Sequence, residues 1–159
     1  MGGLPRRPPA RGERVTYRHL GRRFVTSVSP RPPSGSDEAW AEDWLLAGEV
    51  ELWRRMSNPD RRHAVEVARR FAVRRPDATR AEMAGALLHD VGKTESGLGT
   101  FARVAATLVG PRTERFRAYH DHEAIGARLA EAAGSNAVTV ALIEGRGAGA
   151  PDLRAADDV

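Results

Sequence analysis

The sequence predicts an all-α protein. Three observations carry this. Apolar residues recur at helical spacing in segment after segment, as in Met83, Ala84, Leu87 and Leu88. Helix-start chemistry precedes these segments, most plainly the capping box Thr79-Arg80-Ala81-Glu82. No stretch alternates with period two for long; Val138-Thr139-Val140 hints at a strand but is too short to outweigh the rest.

The elements follow in order. Residues 1–35 form a leader rich in Pro, Arg, Gly and Ser, expected to be largely disordered. Within it Leu20, Phe24 and Val28 fit one short amphipathic helix. Ser36-Asp37 starts the next helix, with Trp40 and Trp44 on one face, and Val50 and Trp53 mark a second. These tryptophans read as core rather than as a stacking platform. Asn58-Pro59 is a cap followed by a first-turn proline, opening a helix to about Arg74 that carries His63, Val67, Arg70 and Phe71. The helix after Thr79 reaches His89-Asp90 near its end, with Gly92 as its stop. Residues 95–99 read as a loop, and Thr100 caps a helix with Phe101, Val104 and Leu108 inward. A helix from Arg115 or His122 runs to Ala133 and stops at Gly134. Ser135 caps the next, and Asp152–Asp158 forms a last short turn. The expected organisation is a leader over 1–35 and one helical domain over 36–159.

At 159 residues the chain is long enough to bury a real core. It has no cysteine, so disulfides and thiolate metal sites are excluded, and any protein metal site must use His, Asp and Glu. No apolar run reaches the roughly 18 residues of a membrane span, and a cytoplasmic location is the default expectation. Charge is uneven. Residues 1–35 hold eight arginines and one glutamate, a net +7 within a chain of +4, which leaves −3 for the remainder. Such a leader can bind nucleic acid or anionic lipid, although a solvated tail is the plainer reading. Of 25 basic residues, Lys93 is the only lysine, and it follows the His-Asp pair by three. A compact ammonium does not substitute for a planar guanidinium in a tight pocket.

The chemistry concentrates at His63 and at His89-Asp90. The second pair ends the apolar run Gly85–Leu88, so its polar groups sit at the edge of the core and need partners. A divalent cation is one such partner. Imidazole and carboxylate together suit Mn, Fe, Co, Ni, Zn or Mg.

His63, then the run Ala-Leu-Leu-His-Asp-Val-Gly-Lys over Ala86–Lys93, then a late aspartate, resembles the HD superfamily of metal-dependent phosphohydrolases. The similarity covers about residues 49–158, and Asp37–Arg62 resembles the lead-in helices of small actinobacterial-type members. The resemblance implies an HD-type helical fold and a metal held by His63, His89, Asp90 and a late aspartate. Asp157 is the first choice for that aspartate, with Asp158 and Asp152 as alternatives. His122, in His-Glu-Ala-Ile-Gly-Ala, maps to a family position that takes a second metal or a substrate phosphate; His120 is a weaker candidate. The segment Ile143–Ala150 has no histidine where two-metal members carry one, and the Gly-Tyr-Pro signature of the cyclic-dinucleotide enzymes is missing.

The implied reaction is hydrolysis of a nucleotide or other small phosphate ester. Asp90 would ligate and orient the nucleophile, and Lys93 would neutralise charge developing on phosphoryl oxygens. His122 or His120 would protonate the leaving oxygen. Arg112, Arg115 and Arg117 could clamp phosphates, against the simpler reading of a solvated face. The alternative is a catalytically degenerate HD-fold module that binds without turnover.

Overall fold

The computed structural model describes residues 30–94 and 112–158, with the backbone alone over 112–121. Among these residues it is all-α. Seven α-helices and one 3-10 turn are present, and there is no strand. They are α1 (Gly35–Glu42), α2 (Ala47–Arg55), α3 (Asn58–Arg74), α4 (Arg80–Leu88), the 3-10 turn (Val91–Thr94), α5 (Arg112–Ala132), α6 (Ala137–Ile143) and α7 (Ala150–Asp157). The leader up to residue 29, the expected helix after Thr100 and the side chain of His120 lie outside the described residues.

Caps explain most boundaries. Thr79 and Glu82 form the expected capping box, with Thr79 N–H donating to Glu82 Oε2 at 2.9 Å and Glu82 N–H to Thr79 Oγ1 at 3.3 Å. Elsewhere the cap sits one or two residues from the expected place. Ser34, not Ser36, caps α1. Ser57 caps α3, so Asn58 and Pro59 lie in its first turn. Asn136 rather than Ser135 caps α6, accepting from Val138 N–H at 2.8 Å. Val138–Val140 is therefore helical, which removes the strand hint. The expected terminal turn is a full helix from Ala150. Gly134 (φ 82°) and Gly145 (φ 70°) stop α5 and α6 in the left-handed region that glycine enters freely. Each stop makes the paired closing bonds of a Schellman motif: Ser135 N–H donates to Ala130 O and Gly134 N–H to Glu131 O, and Arg146 N–H and Gly145 N–H repeat this on Ala141 O and Leu142 O.

α4 lies at the centre, with every residue from Glu82 to Leu88 buried. A helix that is apolar on all sides needs neighbours all round, and α3 and α6 supply most of them. The 3-10 turn packs on α5, and α7 on α3. Trp53, Phe71, Met83, Leu87, Leu88, Val91 and Ile143 are the large core side chains. Trp53 is fully buried, and its Nε1–H donates to Glu38 at 2.8 Å. Trp40 is half-buried beneath the Arg69 guanidinium, 5.0 Å from its ring centre. No helix among the described residues is long and apolar enough to cross a membrane.

Two buried carboxylates tie helices together. Glu49 in α2 is fully buried and accepts from Leu46 N–H at 2.7 Å and from Arg80 Nη1 at 2.9 Å. Glu82 closes its own cap and accepts from Arg75 Nε at 2.8 Å. Burial opposes ionisation of Glu82, but the bonds from Thr79 and Arg75 outweigh it and hold its carboxyl below the ordinary value of 4.5. A depressed folded-state pKa means that Glu82 stabilises the fold above pH 4.5 and loses that contribution as pH falls through the lower folded value. Glu82→Gln is expected to cost about 1–3 kcal/mol near pH 7, because Arg75 and Thr79 lose a charged acceptor. Urea titrations at pH 7 and pH 3 check this. The gap between wild type and variant should narrow at the lower pH, and an equal gap at both would refute the assignment.

Candidate metal centre

Three helices deliver the polar residues singled out by sequence. His63 is in the second turn of α3. His89 is the C-cap residue of α4, with Asp90 next to it as the chain turns into the 3-10 segment. Asp157 is the last residue of α7. They meet because α4 and α7 both pack on α3.

One ligand atom each from His63, His89 and Asp90 lies within 4.8 Å of the others. His63 Nε2 and Asp157 Oδ1 are 2.8 Å apart. His89 Nε2 stands 3.7 Å from Asp90 Oδ2 and 3.8 Å from Asp157 Oδ1. Donors on a shared ion at about 2.0–2.2 Å are separated from one another by roughly 3–4 Å. The spacings around His89 match that figure. The rings of His63 and His89 are tilted by 57° with centroids 5.8 Å apart, so they do not stack.

The bonding of His89 fixes its tautomer. Its Nδ1 is 2.9 Å from the Ala86 carbonyl oxygen, which can only accept, so Nδ1 carries the proton. In the neutral ring Nε2 then holds the lone pair. This is the outer-shell bond that typically orients a metal-binding histidine. Nε2 itself is buried and has no hydrogen-bond partner. Its nearest polar neighbours are the carboxylates of Asp90 and Asp157, too far for a hydrogen bond, and a cation between them would give it a direct partner. The two imidazoles and the Asp90 carboxylate thus form a donor set close enough to hold a divalent ion, with Asp157 beside it.

The charges reinforce one another. Burial opposes protonation of His89, yet Asp90 and Asp157 outweigh it and raise its pKa above the ordinary 6.5. Burial likewise opposes ionisation of Asp90, but His89 and Lys93 hold its carboxyl below 3.8. Lys93 Nζ donates to Asp90 Oδ2. Asp157 is held far below the usual carboxylate range, first by its bond from His63 and then by His89.

A cavity of about 50 Å³ opens beside this cluster. His89, Asp90, Lys93 and Asp157 line it together with His122, Glu123 and Arg154, and its apolar lining includes Leu142 and Leu153. It has room for an ion with water or for a phosphoryl-sized group. A complete small-molecule ligand commonly needs about 300–1,000 Å³. His122 Nδ1 is buried without a hydrogen-bond partner. The backbone around His122 meets the 3-10 turn at Gly92, where a Cβ would lie 2.0 Å from His122 O. Gly92, expected as the helix stop, lies instead inside the 3-10 turn, after the helix has ended at Leu88. Its φ is not positive, and its reason is this contact.

The alternative late ligands lie elsewhere. Asp152 is 3.7 Å from Arg75, and Asp158 is exposed. The side chains of His120, Arg112, Arg115 and Arg117 lie outside the described residues. Sequence reasoning overlooked Arg154 and Glu123. For Arg154 a signal existed: it precedes Asp157 by three on a helix, which puts both on one face.

No family model, curated protein or solved structure matches this chain.

Proposed function

We propose that the chain is a metal-dependent phosphohydrolase of the HD type, acting on a nucleotide or other small phosphate ester. One observation supports the reading: the buried Nε2 of His89 makes no hydrogen bond and lies at ligand spacing from His63 and Asp90, with Asp157 Oδ1 at 3.8 Å. His63, His89, Asp90 and Asp157 would hold the ion, with Mn, Fe, Co, Ni, Zn and Mg all compatible with imidazole and carboxylate donors. When bound, a divalent ion supplies Lewis acidity, which acidifies water and polarises a phosphoryl oxygen. The chain's own groups do the rest. Asp90, oriented by Lys93, positions the attacking oxygen. Lys93, at the cavity wall, offsets negative charge that grows on the phosphoryl oxygens. His122, in the cavity lining, would give a proton to the leaving oxygen, and Arg154, also in the lining, would hold a substrate phosphate.

A second reading is a binding module without turnover, favoured by one contact. His63 and Asp157 already bond directly at 2.8 Å, which satisfies both without an ion.

Metal analysis separates the two. Wild-type protein incubated with Mn²⁺, Co²⁺ or Ni²⁺ should retain close to one equivalent, and the His89→Ala/Asp90→Ala double variant none. Retained metal then warrants hydrolysis assays across phosphate monoesters and nucleotides. Wild-type protein that holds no metal would leave the binding module standing. A pH dependence follows as well. Asp90 and Asp157 favour a proton on His89, and the ion must displace it. Metal affinity is therefore expected to rise with pH from 6 to 8 in calorimetric titrations; a flat profile would mean that His89 is not a ligand.

A further inference from the structure

We propose that Arg70 is a positioning residue, which holds Asp157 against the two histidines by capping the end of α7. The inference rests on the metal-site reading for its functional meaning but not for its geometry.

α7 is only eight residues long, and helices of that length are marginal by themselves. It is seated by three small contacts: Ala150, Leu153 and Ala156 are buried. Its last carbonyls have no intrahelical partner, yet its final residue must present a carboxylate to within 2.8 Å of His63. Arg70 answers this. Its Nη1 donates to Ala156 O at 3.1 Å, on the peptide that leads into Asp157. A cation at a helix C-terminus also complements the partial negative charge there. Glu66, one turn earlier, steadies the guanidinium through Nη2 at 3.3 Å.

The register follows from helix geometry. His63 and Arg70 are seven residues apart in α3, two turns on one face. One helix therefore grips the end of another at two points, by imidazole to carboxylate and by guanidinium to carbonyl. Arg75, near Asp152 at 3.7 Å, makes a third tie at the opposite end of α7. Arg70 touches no candidate ligand atom, so its effect on the ion runs through Asp157.

The test pairs metal titration with amide exchange. Arg70→Ala is expected to weaken Mn²⁺ binding by about 10–100-fold, the usual range for outer-shell partners of a metal site. Arg70→Lys, which keeps a donor, should recover most of the loss. In an Asp157→Asn background, Arg70→Ala should add nothing, because the residue it acts through is already disabled. Wild-type affinity in Arg70→Ala, or an undiminished loss in the Asp157→Asn background, would overturn the proposal. Exchange is read without metal. The Asp157 and Asp158 amides should exchange about 10-fold faster in Arg70→Ala while those of α4 stay unchanged, as expected for local opening of one element. If the wild type takes up no Mn²⁺, the metal reading fails and exchange alone decides: unchanged protection of α7 would show that Arg70 does not hold it.

Discussion

Replacing Asp90 by alanine is expected to abolish metal binding and phosphate hydrolysis together. Asp90 connects the two halves of the site. One oxygen is 3.7 Å from His89 Nε2 and also accepts from Lys93. On the proposed reading the ion would lose a charged ligand without it, and Lys93 loses the group it donates to. Losses of outer-shell partners weaken metal sites by about 10–100-fold, so loss of a charged ligand should exceed that range. Hydrolysis should fall by at least about 10²–10³-fold, the effect of deleting one strong electrostatic contributor to a transition state. The fold should survive, because Lys93 is 30% exposed and can turn to water. Asp90→Asn keeps the shape while removing the charge, so it should resemble the alanine variant. Metal content, phosphate release and a melting curve on the same preparations decide the matter. A folded Asp90→Ala protein with undiminished hydrolysis would sink the site assignment.

Gly92→Ala is expected to be strongly destabilising although it adds a single methyl group. The new Cβ would lie 2.0 Å from His122 O and 2.8 Å from Gly126 N. Both atoms are backbone in α5, so no side chain can swing aside. Relief requires the 3-10 turn and α5 to separate. Overpacking generally costs about 1–3 kcal/mol, and a clash with a rigid helix should reach the upper end or exceed it. A loss near 3 kcal/mol corresponds to a fall in Tm of roughly 10 °C for a chain of this size. Because the same turn follows Asp90 and carries Lys93, and α5 carries His122, metal affinity should fall as well. Gly126→Ala is an internal control. Its Cβ would meet Ile143 Cγ2 at 3.1 Å and Gly92 N at 3.2 Å, so smaller shifts suffice and a smaller cost is expected. A Gly92→Ala protein melting at the wild-type temperature would contradict the close approach.

The amino-acid sequence by itself determined the local features of this protein. The Thr79–Glu82 box, the glycine stop at Gly134 and the burial of Met83, Leu87 and Leu88 depend on residues within a turn or two of one another, so spacing and residue type suffice to read them. His89 and Asp90 were legible for the same reason: polar residues that end an apolar run have few places to go. Cap positions were less legible. Ser34 and Ser36, Ser57 and Asn58, and Ser135 and Asn136 are near-equivalent caps, and the direction from which the chain enters each helix chooses between them. Tertiary structure alone decided the rest. Asp157 lies 94 residues after His63, and the contact between them exists only because α7 packs on α3. The burial of Glu49 against Arg80, the cap that Arg70 places on Ala156 and the place of Arg154 beside the cavity are likewise contacts between distant segments. Gly92 shows the division most clearly. The sequence marks it as a break in a helix, whereas the fold requires it because another helix's backbone occupies the space where a side chain would be. Local propensity acts over one turn of chain, while the relative placement of helices is set by how their side chains fit together across the core.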